Sequence, residues 1–114
     1  MVMVMKYNKL VRDRIPEIIK NNGEEPITTI LSDSEYKIEL EKKLFEEYNE
    51  VINASGKNRI EELADMLEVI SALAALEGEN LDNVIEVAKQ KVLKRGAFND
   101  KIYLEGVKKK TNIV

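Results

Sequence analysis

Residues 32–95 place apolar side chains at the spacing of an amphipathic α-helix, and glycines divide this stretch into three helical segments. The predicted helices span residues 32–55, 58–77 and 81–95, and they are followed by Gly56, Gly78 and Gly96. Ser32 and Glu35 have the spacing of a capping box, which marks the start of the first of these helices. Three helices joined by short connections predict an all-α fold, an antiparallel helical bundle.

The segments outside these helices are short. Pro16 suits the first turn of a small helix that ends at Gly23, and residues 27–31 and 102–104 are rich in β-formers and are candidates for short strands. A chain of 114 residues has the size of one domain with a modest core. We therefore expect residues 1–114 to form a single domain whose core is completed by dimerisation.

The composition excludes several classes of function. The sequence has no histidine and no cysteine, which excludes thiol catalysis, zinc–thiolate sites and the histidine-containing di-iron bundles. The net charge of −3 produces no field that favours nucleic acid or an anionic membrane surface. No apolar run approaches the length of a membrane span. We expect a cytoplasmic protein with neither nucleic acid nor a membrane as its partner.

Four carboxylates form two i,i+3 pairs on consecutive predicted helices, Glu47 with Glu50 and Glu62 with Asp65. At about 100° per residue, Glu47 lies at the edge of the apolar arc of its helix and Glu50 lies further around the rim. That arc consists of Leu40, Leu44, Phe45, Tyr48, Val51 and Ile52. Glu62 and Asp65 extend one of two apolar strips on the next helix, and a helix that is apolar on two sides is packed on two sides.

These positions indicate a metal site. Carboxylates gathered at the edge of a core repel one another and lose hydration, and a cation removes both penalties. The helix dipole alone can explain acidic residues near helix N-termini, and that explanation suffices for Glu46, Glu61 and Glu68. In a chain without histidine or cysteine, the cation expected on four carboxylates is Mg²⁺, with Mn²⁺ as the alternative. Such ions typically act on substrate phosphates, which the protein must also bind through cations.

Two basic clusters are candidates for contacting phosphate. Lys9 and Arg12 lie in the segment KLVRDR, and Lys91 and Arg95 lie one turn apart near the end of the last predicted helix. Simpler explanations exist for both clusters, because Arg12 could pair with Asp13 and basic residues complement the dipole at a helix C-terminus. Neither glycine-rich phosphate-binding motif, GxxxxGK[ST] or GxGxxG, is present.

The order of these motifs resembles the all-α nucleoside triphosphate pyrophosphohydrolases, the superfamily of MazG-like proteins and phosphoribosyl-ATP pyrophosphohydrolase. The superfamily signature is ExxE, a spacer and ExxD, which here is EYNE (47–50), eleven residues and ELAD (62–65). The flanking segments YNKLVRDRIPEII (7–19) and KRGAF (94–98), followed by IYL, are similar to the branch of house-cleaning pyrophosphatases for non-canonical nucleotides.

The resemblance implies an all-helical MazG-like domain that assembles into a homodimer or homotetramer. It also implies that this domain uses Mg²⁺ to hydrolyse a nucleoside triphosphate to the monophosphate and pyrophosphate. It implies that Glu47, Glu50, Glu62 and Asp65 are catalytic metal ligands, and that Glu47 orients or deprotonates the attacking water. It also implies that phosphate-contacting residues are Lys9, Arg12, Lys91 and Arg95.

Two other functions are compatible with the same residues. The first is the phosphoribosyl-ATP step of histidine biosynthesis, which shares the core motif. The second is a non-catalytic dimerisation or adaptor module in which the carboxylates are only interface charges. The preferred base is not indicated by any residue, and four carboxylates could serve one metal ion or two.

Overall fold

A computed structural model of the protein describes residues 2–110, and this part of the chain contains four α-helices and no β-strand. The helices are α1 (Ile15–Asn21), α2 (Asp33–Asn53), α3 (Gly56–Leu76) and α4 (Leu81–Arg95). The predicted all-α fold is therefore confirmed. Within the described residues, no helix has both the length and the apolar character needed to cross a membrane.

The prediction of short strands at 27–31 and 102–104 is wrong. Residues in both segments have no regular secondary structure, and Ile27, Ile30 and Tyr103 are largely exposed. A strand is stable only when its backbone groups pair with a neighbouring strand. Neither segment finds such a partner within residues 2–110, so β-branched and aromatic composition alone does not produce a strand.

Helix α2 begins at the predicted capping box. The backbone N–H of Glu35 donates to Ser32 Oγ at 3.3 Å, and the backbone N–H of Ser32 donates to Glu35 Oε1 at 3.3 Å. The Ser32 hydroxyl also donates to Glu35 Oε1 at 2.7 Å, and this bond is the main reason that the pKa of Glu35 is lowered. A cap of this kind stabilises a helix by about 1 kcal/mol.

Helices α2 and α3 form an antiparallel hairpin. They pack against each other along their length and are joined only by Ala54 and Ser55, both of which are extended. The side chain of Arg59 donates to the carbonyl oxygen of Ala54 at 2.8 Å and closes the connection. The prediction that Gly56 ends α2 is wrong, because the chain reverses at the two extended residues and Gly56 is the first residue of α3.

Glycines end α1 and α3 as predicted. Gly23 and Gly78 have φ of +85° and +75°, a region that residues with a Cβ rarely adopt. After α3, Gly78 N–H donates to the carbonyl of Ala75, and Glu79 N–H donates to that of Ala74. This is a Schellman motif, which satisfies carbonyl groups that have no partner inside the helix. Helix α4 also has its predicted bounds and is followed by Gly96.

The chain divides into two compact units, Met1–Leu81 and Asp82–Val114. The first contains α1, α2 and α3, and the second contains nearly all of α4. Among the described residues, the buried apolar side chains are Leu40, Val69 and Ala74, all in the α2–α3 hairpin. The core between α2 and α3 is therefore narrow, and it is the part of the first unit that positions the carboxylates.

The predicted apolar arc of α2 is only partly buried. Leu40 faces α3, whereas Phe45, Tyr48 and Ile52 are 66%, 49% and 57% exposed. At about 100° per residue these three side chains point roughly 80–140° away from Leu40, and one neighbouring helix does not cover so wide an arc. The apolar arc that the sequence indicates on α2 is therefore wider than the face that α3 buries.

Candidate metal centre

A carboxylate lies in the middle of the α2–α3 contact. Glu47 is 8% exposed and is the only charged residue that is buried within the described part of the chain. It lies seven residues after Leu40, which is two helical turns, so both side chains point toward α3. The sequence predicts Glu47 at the edge of the apolar arc, but the structure places it at the centre of the buried face.

The structure brings three of the four predicted carboxylates together. Glu47, Glu62 and Asp65 each offer one carboxylate oxygen, and these oxygens lie within 4.8 Å of one another. The i,i+3 spacing puts Glu62 and Asp65 on the same face of α3. The short connection between the antiparallel helices then sets Glu47 opposite them. Both residues of α3 are partly buried, so the three carboxylates are partly shielded from solvent.

Glu50 lies outside this trio and is exposed. It is nevertheless near enough for its charge to act on Glu62. The pKa of Glu62 is raised, first because burial disfavours the carboxylate and then because of the negative charges of Glu50, Asp65, Glu47 and Glu61. The fourth predicted residue therefore belongs to the same electrostatic cluster without lying among the three converging oxygens.

Two basic side chains partly balance this cluster. Lys43 Nζ lies 3.7 Å from Glu47 Oε1 and 3.3 Å from Glu46 Oε2, so its charge is shared between a buried and an exposed carboxylate. Arg12 donates from a terminal guanidinium nitrogen to Asp65 Oδ1 at 2.7 Å. Three carboxylates thus share one full cation and part of another, and the centre retains negative charge.

The contact of Lys43 could be predicted from sequence spacing, whereas the contact of Arg12 could not. Side chains at i and i+4 are neighbours on a helix, so the spacing of Lys43 and Glu47 is sufficient to predict their contact. By contrast, Arg12 does not form the pair with Asp13 considered from the sequence, because its guanidinium reaches Asp65, which is 53 residues away. Local spacing carries no signal for such a pair.

The other predicted phosphate contacts are exposed residues. Lys9 is exposed, with its Nζ 5.8 Å from the ring centroid of Tyr7. Lys91 and Arg95 are exposed residues of α4 in the second unit. Among the predicted cations, the structure therefore places Arg12 at the carboxylates, and the roles of the other three stay predictions.

The donor set fits a hard divalent cation. Octahedral Mg²⁺ binds oxygen at about 2.1 Å, so ligand oxygens around it are separated by about 3 Å when adjacent and about 4.2 Å when opposite. Oxygens that lie within 4.8 Å of one another are close enough for a shared ion to draw them to these separations by rotation of the side chains. All three donors are carboxylates, the ligand type preferred by Mg²⁺ and Mn²⁺.

The raised pKa of Glu62 leads to a prediction for the metal-free protein. Between the ordinary value of 4.5 and the raised value, the folded state binds more protons than the unfolded state, so stability falls as the pH rises through this window. At neutral pH, which lies above the ordinary value, this penalty is present. Glu62→Gln should therefore raise the melting temperature in metal-free buffer at pH 7, and this gain should disappear below pH 4.5, where Glu62 is protonated.

A thermal melt of both proteins in the presence of chelator, and again with Mn²⁺, measures this effect. The wild type should gain more from Mn²⁺ than the variant, because the ion stabilises the charged carboxylate. Glu68→Gln is the control, since Glu68 is an exposed acidic residue of the same helix. A variant that melts below the wild type in metal-free buffer at pH 7 would contradict the electrostatic account.

Comparison with curated proteins finds one of similar sequence in Mycolicibacterium smegmatis. It is 51% identical over 50 residues and is described only as an uncharacterized protein. The aligned stretch covers 44% of this chain and 51% of that protein, so the chain spans about half the length of the curated relative it matches. No protein-family model and no solved structure matches the chain. The similarity therefore brings no activity to this chain, and the function has to be argued from the carboxylates.

Proposed function

We propose that the protein is a MazG-like hydrolase that uses a divalent cation, Mg²⁺ or Mn²⁺, to convert a nucleoside triphosphate to the monophosphate and pyrophosphate. The observation that carries the proposal is the convergence of Glu47, Glu62 and Asp65 from two helices, with Glu47 buried in the α2–α3 contact. Burying a carboxylate beside two others is costly, and a doubly charged ion offsets that cost.

The composition of the centre supports this class of chemistry. The trio provides oxygen ligands of the kind that bind Mg²⁺ or Mn²⁺, and these ions commonly bind phosphates as well. A guanidinium lies at the edge of the trio, where Arg12 contacts Asp65, and guanidinium groups pair well with phosphate oxygens. The motif order EYNE and ELAD, together with the flanking segments, favours a pyrophosphohydrolase over other phosphate chemistry.

The burial of each residue determines the role that we assign to it in the reaction. Glu47, Glu62 and Asp65 hold the cation, which when bound neutralises phosphate charge and polarises a phosphoryl oxygen. Glu50 is exposed beside them and is better placed than buried Glu47 to orient the attacking water and accept its proton. The water oxygen forms a new P–O bond, the anhydride bond between the α- and β-phosphates breaks, and pyrophosphate leaves. Arg12 binds the phosphates.

A nucleotide screen tests the proposal. Canonical triphosphates, oxidised or deaminated triphosphates and phosphoribosyl-ATP are each incubated with the protein and Mg²⁺, and pyrophosphate and orthophosphate are measured separately. We expect metal-dependent release of pyrophosphate, highest with a non-canonical nucleotide. Highest turnover of phosphoribosyl-ATP would select the histidine-biosynthesis alternative. Release of orthophosphate alone, or no turnover with any nucleotide, would contradict the assigned reaction.

We also propose that a second copy of the chain covers the exposed apolar face of the hairpin. This face consists of Phe45, Tyr48 and Ile52 on α2 and Ile60, Leu63 and Leu67 on α3, which are 43–66% exposed. Helical periodicity puts both strips on one side of the antiparallel hairpin, opposite the side of Glu50 and Asp65. With three buried apolar residues described in the first unit, the hairpin needs further burial to be stable.

A homodimer or homotetramer provides that burial. A contiguous patch of six large apolar side chains is more than monomers usually expose, and such patches mark interfaces. Since the patch lies on the side of the hairpin opposite Glu50 and Asp65, assembly would leave that side of the metal centre accessible to a nucleotide. The adaptor alternative predicts the same assembly, so catalysis and metal binding are the properties that separate the two functions.

A further inference from the structure

Arg12 is held in place by the start of α1. The backbone N–H of Ile15 donates to the carbonyl oxygen of Arg12 at 3.0 Å, which closes the turn that leads into the helix. The neighbouring Arg14 points to its own helix and donates to Glu17 at 3.3 Å. The two arginines of RDR therefore have different partners, and only Arg12 reaches the carboxylates of α3.

The contact between Arg12 and Asp65 uses the same carboxylate that belongs to the metal-binding trio. The guanidinium donates to Oδ1 of Asp65 at 2.7 Å, and both side chains are about half exposed, at 57% and 44%. A partly hydrated pair of this kind is weak and exchanges readily. A divalent ion at the trio would place two positive charges within a few ångströms of the guanidinium, and the two cations would repel each other.

We infer that Arg12 is a built-in cation that occupies the carboxylate cluster in the metal-free protein and is displaced from Asp65 when a divalent ion binds. In the metal-free state the guanidinium reduces repulsion among the carboxylates. In the metal-loaded state Asp65 turns to the ion, and the guanidinium becomes free to pair with a substrate phosphate. The inference rests on the proposed function only in that a divalent cation binds at the trio.

This exchange links metal loading to substrate binding. Without metal, Arg12 is engaged with Asp65, so the protein has a weaker site for the phosphate chain. After loading, the same residue supplies a donor with two parallel N–H groups, the geometry that matches phosphate oxygens. Metal and nucleotide therefore bind in a favoured order, metal first, and each increases the affinity for the other.

Calorimetric titration of the full chain with Mn²⁺, without nucleotide, tests the inference. Arg12→Gln removes the competing charge. A positive charge about 5 Å from a doubly charged ion in water corresponds to about tenfold in affinity, and this is an upper limit because the guanidinium moves away as the ion binds. We therefore expect the variant to bind Mn²⁺ about three- to tenfold more tightly than the wild type. The matched control, Arg14→Gln, should bind within about twofold of the wild type, because its pair with Glu17 is local and exposed.

A second variant separates charge from packing. Arg12→Lys keeps the positive charge, so its Mn²⁺ affinity should stay near that of the wild type, even if loss of the arginine shape weakens the N-terminal turn. A non-hydrolysable triphosphate analogue, titrated into the Mn²⁺-loaded proteins, should bind more weakly to Arg12→Gln than to the wild type. If Arg12 only stabilised the fold, Arg12→Gln would not strengthen the binding of Mn²⁺ while weakening the binding of the analogue.

The outcomes distinguish this inference from the proposed function. If wild type and Arg12→Gln bind Mn²⁺ equally, or the variant binds it more weakly, Arg12 does not compete with the ion and the inference is overturned while the metal centre stands. If no protein of the set takes up Mn²⁺ or Mg²⁺, the metal centre itself is absent, and both the inference and the proposed function are overturned.

Discussion

Glu47→Gln is expected to lower the rate of metal-dependent pyrophosphate release by at least about 100-fold, because loss of a residue that only supports a metal ligand already costs about 10–100-fold. The amide keeps the size of the buried side chain but removes the negative charge that a divalent ion requires. Because Glu47 lies between the helices and faces both other carboxylates, no neighbouring group can take its place. The measurement is the initial rate with saturating nucleotide, repeated over a range of Mg²⁺ concentrations.

Glu46→Gln is the matched control for this experiment. Glu46 is the preceding residue, contacts the same Lys43 at 3.3 Å and is exposed, so the substitution changes the same amount of charge outside the centre. It should leave the rate nearly unchanged. A Glu47→Gln variant with near wild-type turnover and metal dependence would show that Glu47 is not a ligand of the metal. An adaptor protein would show no metal effect in either variant.

Leu67→Glu is expected to break the assembly. Leu67 belongs to the exposed apolar face of α3, and a charge buried at the centre of an interface costs at least about 2 kcal/mol, as does loss of a strongly contributing side chain. The wild type should sediment as a dimer or tetramer and the variant as a monomer. The variant should also unfold at lower denaturant concentration, because the narrow core of the hairpin would lose the stabilisation that assembly provides.

The control for assembly is Asn49→Glu on α2. Asn49 is exposed and lies on the outer side of that helix, opposite Leu40. The substitution therefore adds a charge outside the apolar face. It should leave the molecular mass unchanged. A wild-type protein that is monomeric at micromolar concentration would contradict the proposal that a second copy covers this face, whereas the metal centre would not be affected.

Local signals in the sequence predicted the helices well. The capping box of Ser32 and Glu35, the glycine after α3 and the glycine after α4 all act within a few residues, so their effects do not depend on the rest of the fold. The predicted strands at 27–31 and 102–104 failed for the opposite reason. A strand depends on a partner elsewhere in the chain, and its residue types cannot supply one.

The carboxylates show the same difference between features set by local spacing and features set by tertiary packing. The i,i+3 pairs follow from helical spacing, which puts Glu62 and Asp65 on one face of α3, and the structure leaves both partly buried. Helical spacing also defined a wide apolar arc on α2, but it did not indicate which part of that arc α3 would cover. The structure covers the part that contains Leu40 and Glu47 and leaves Phe45 exposed.

The sequence by itself determined the all-α class, the ends of the helices apart from the α2–α3 connection, and the presence of two acidic pairs without histidine or cysteine. Only the tertiary structure decided that Glu47 is buried against α3, that Glu50 lies outside the converging oxygens, and that Arg12 reaches Asp65. The physical reason is that helical periodicity defines the faces of each helix, whereas packing between distant segments decides which faces meet.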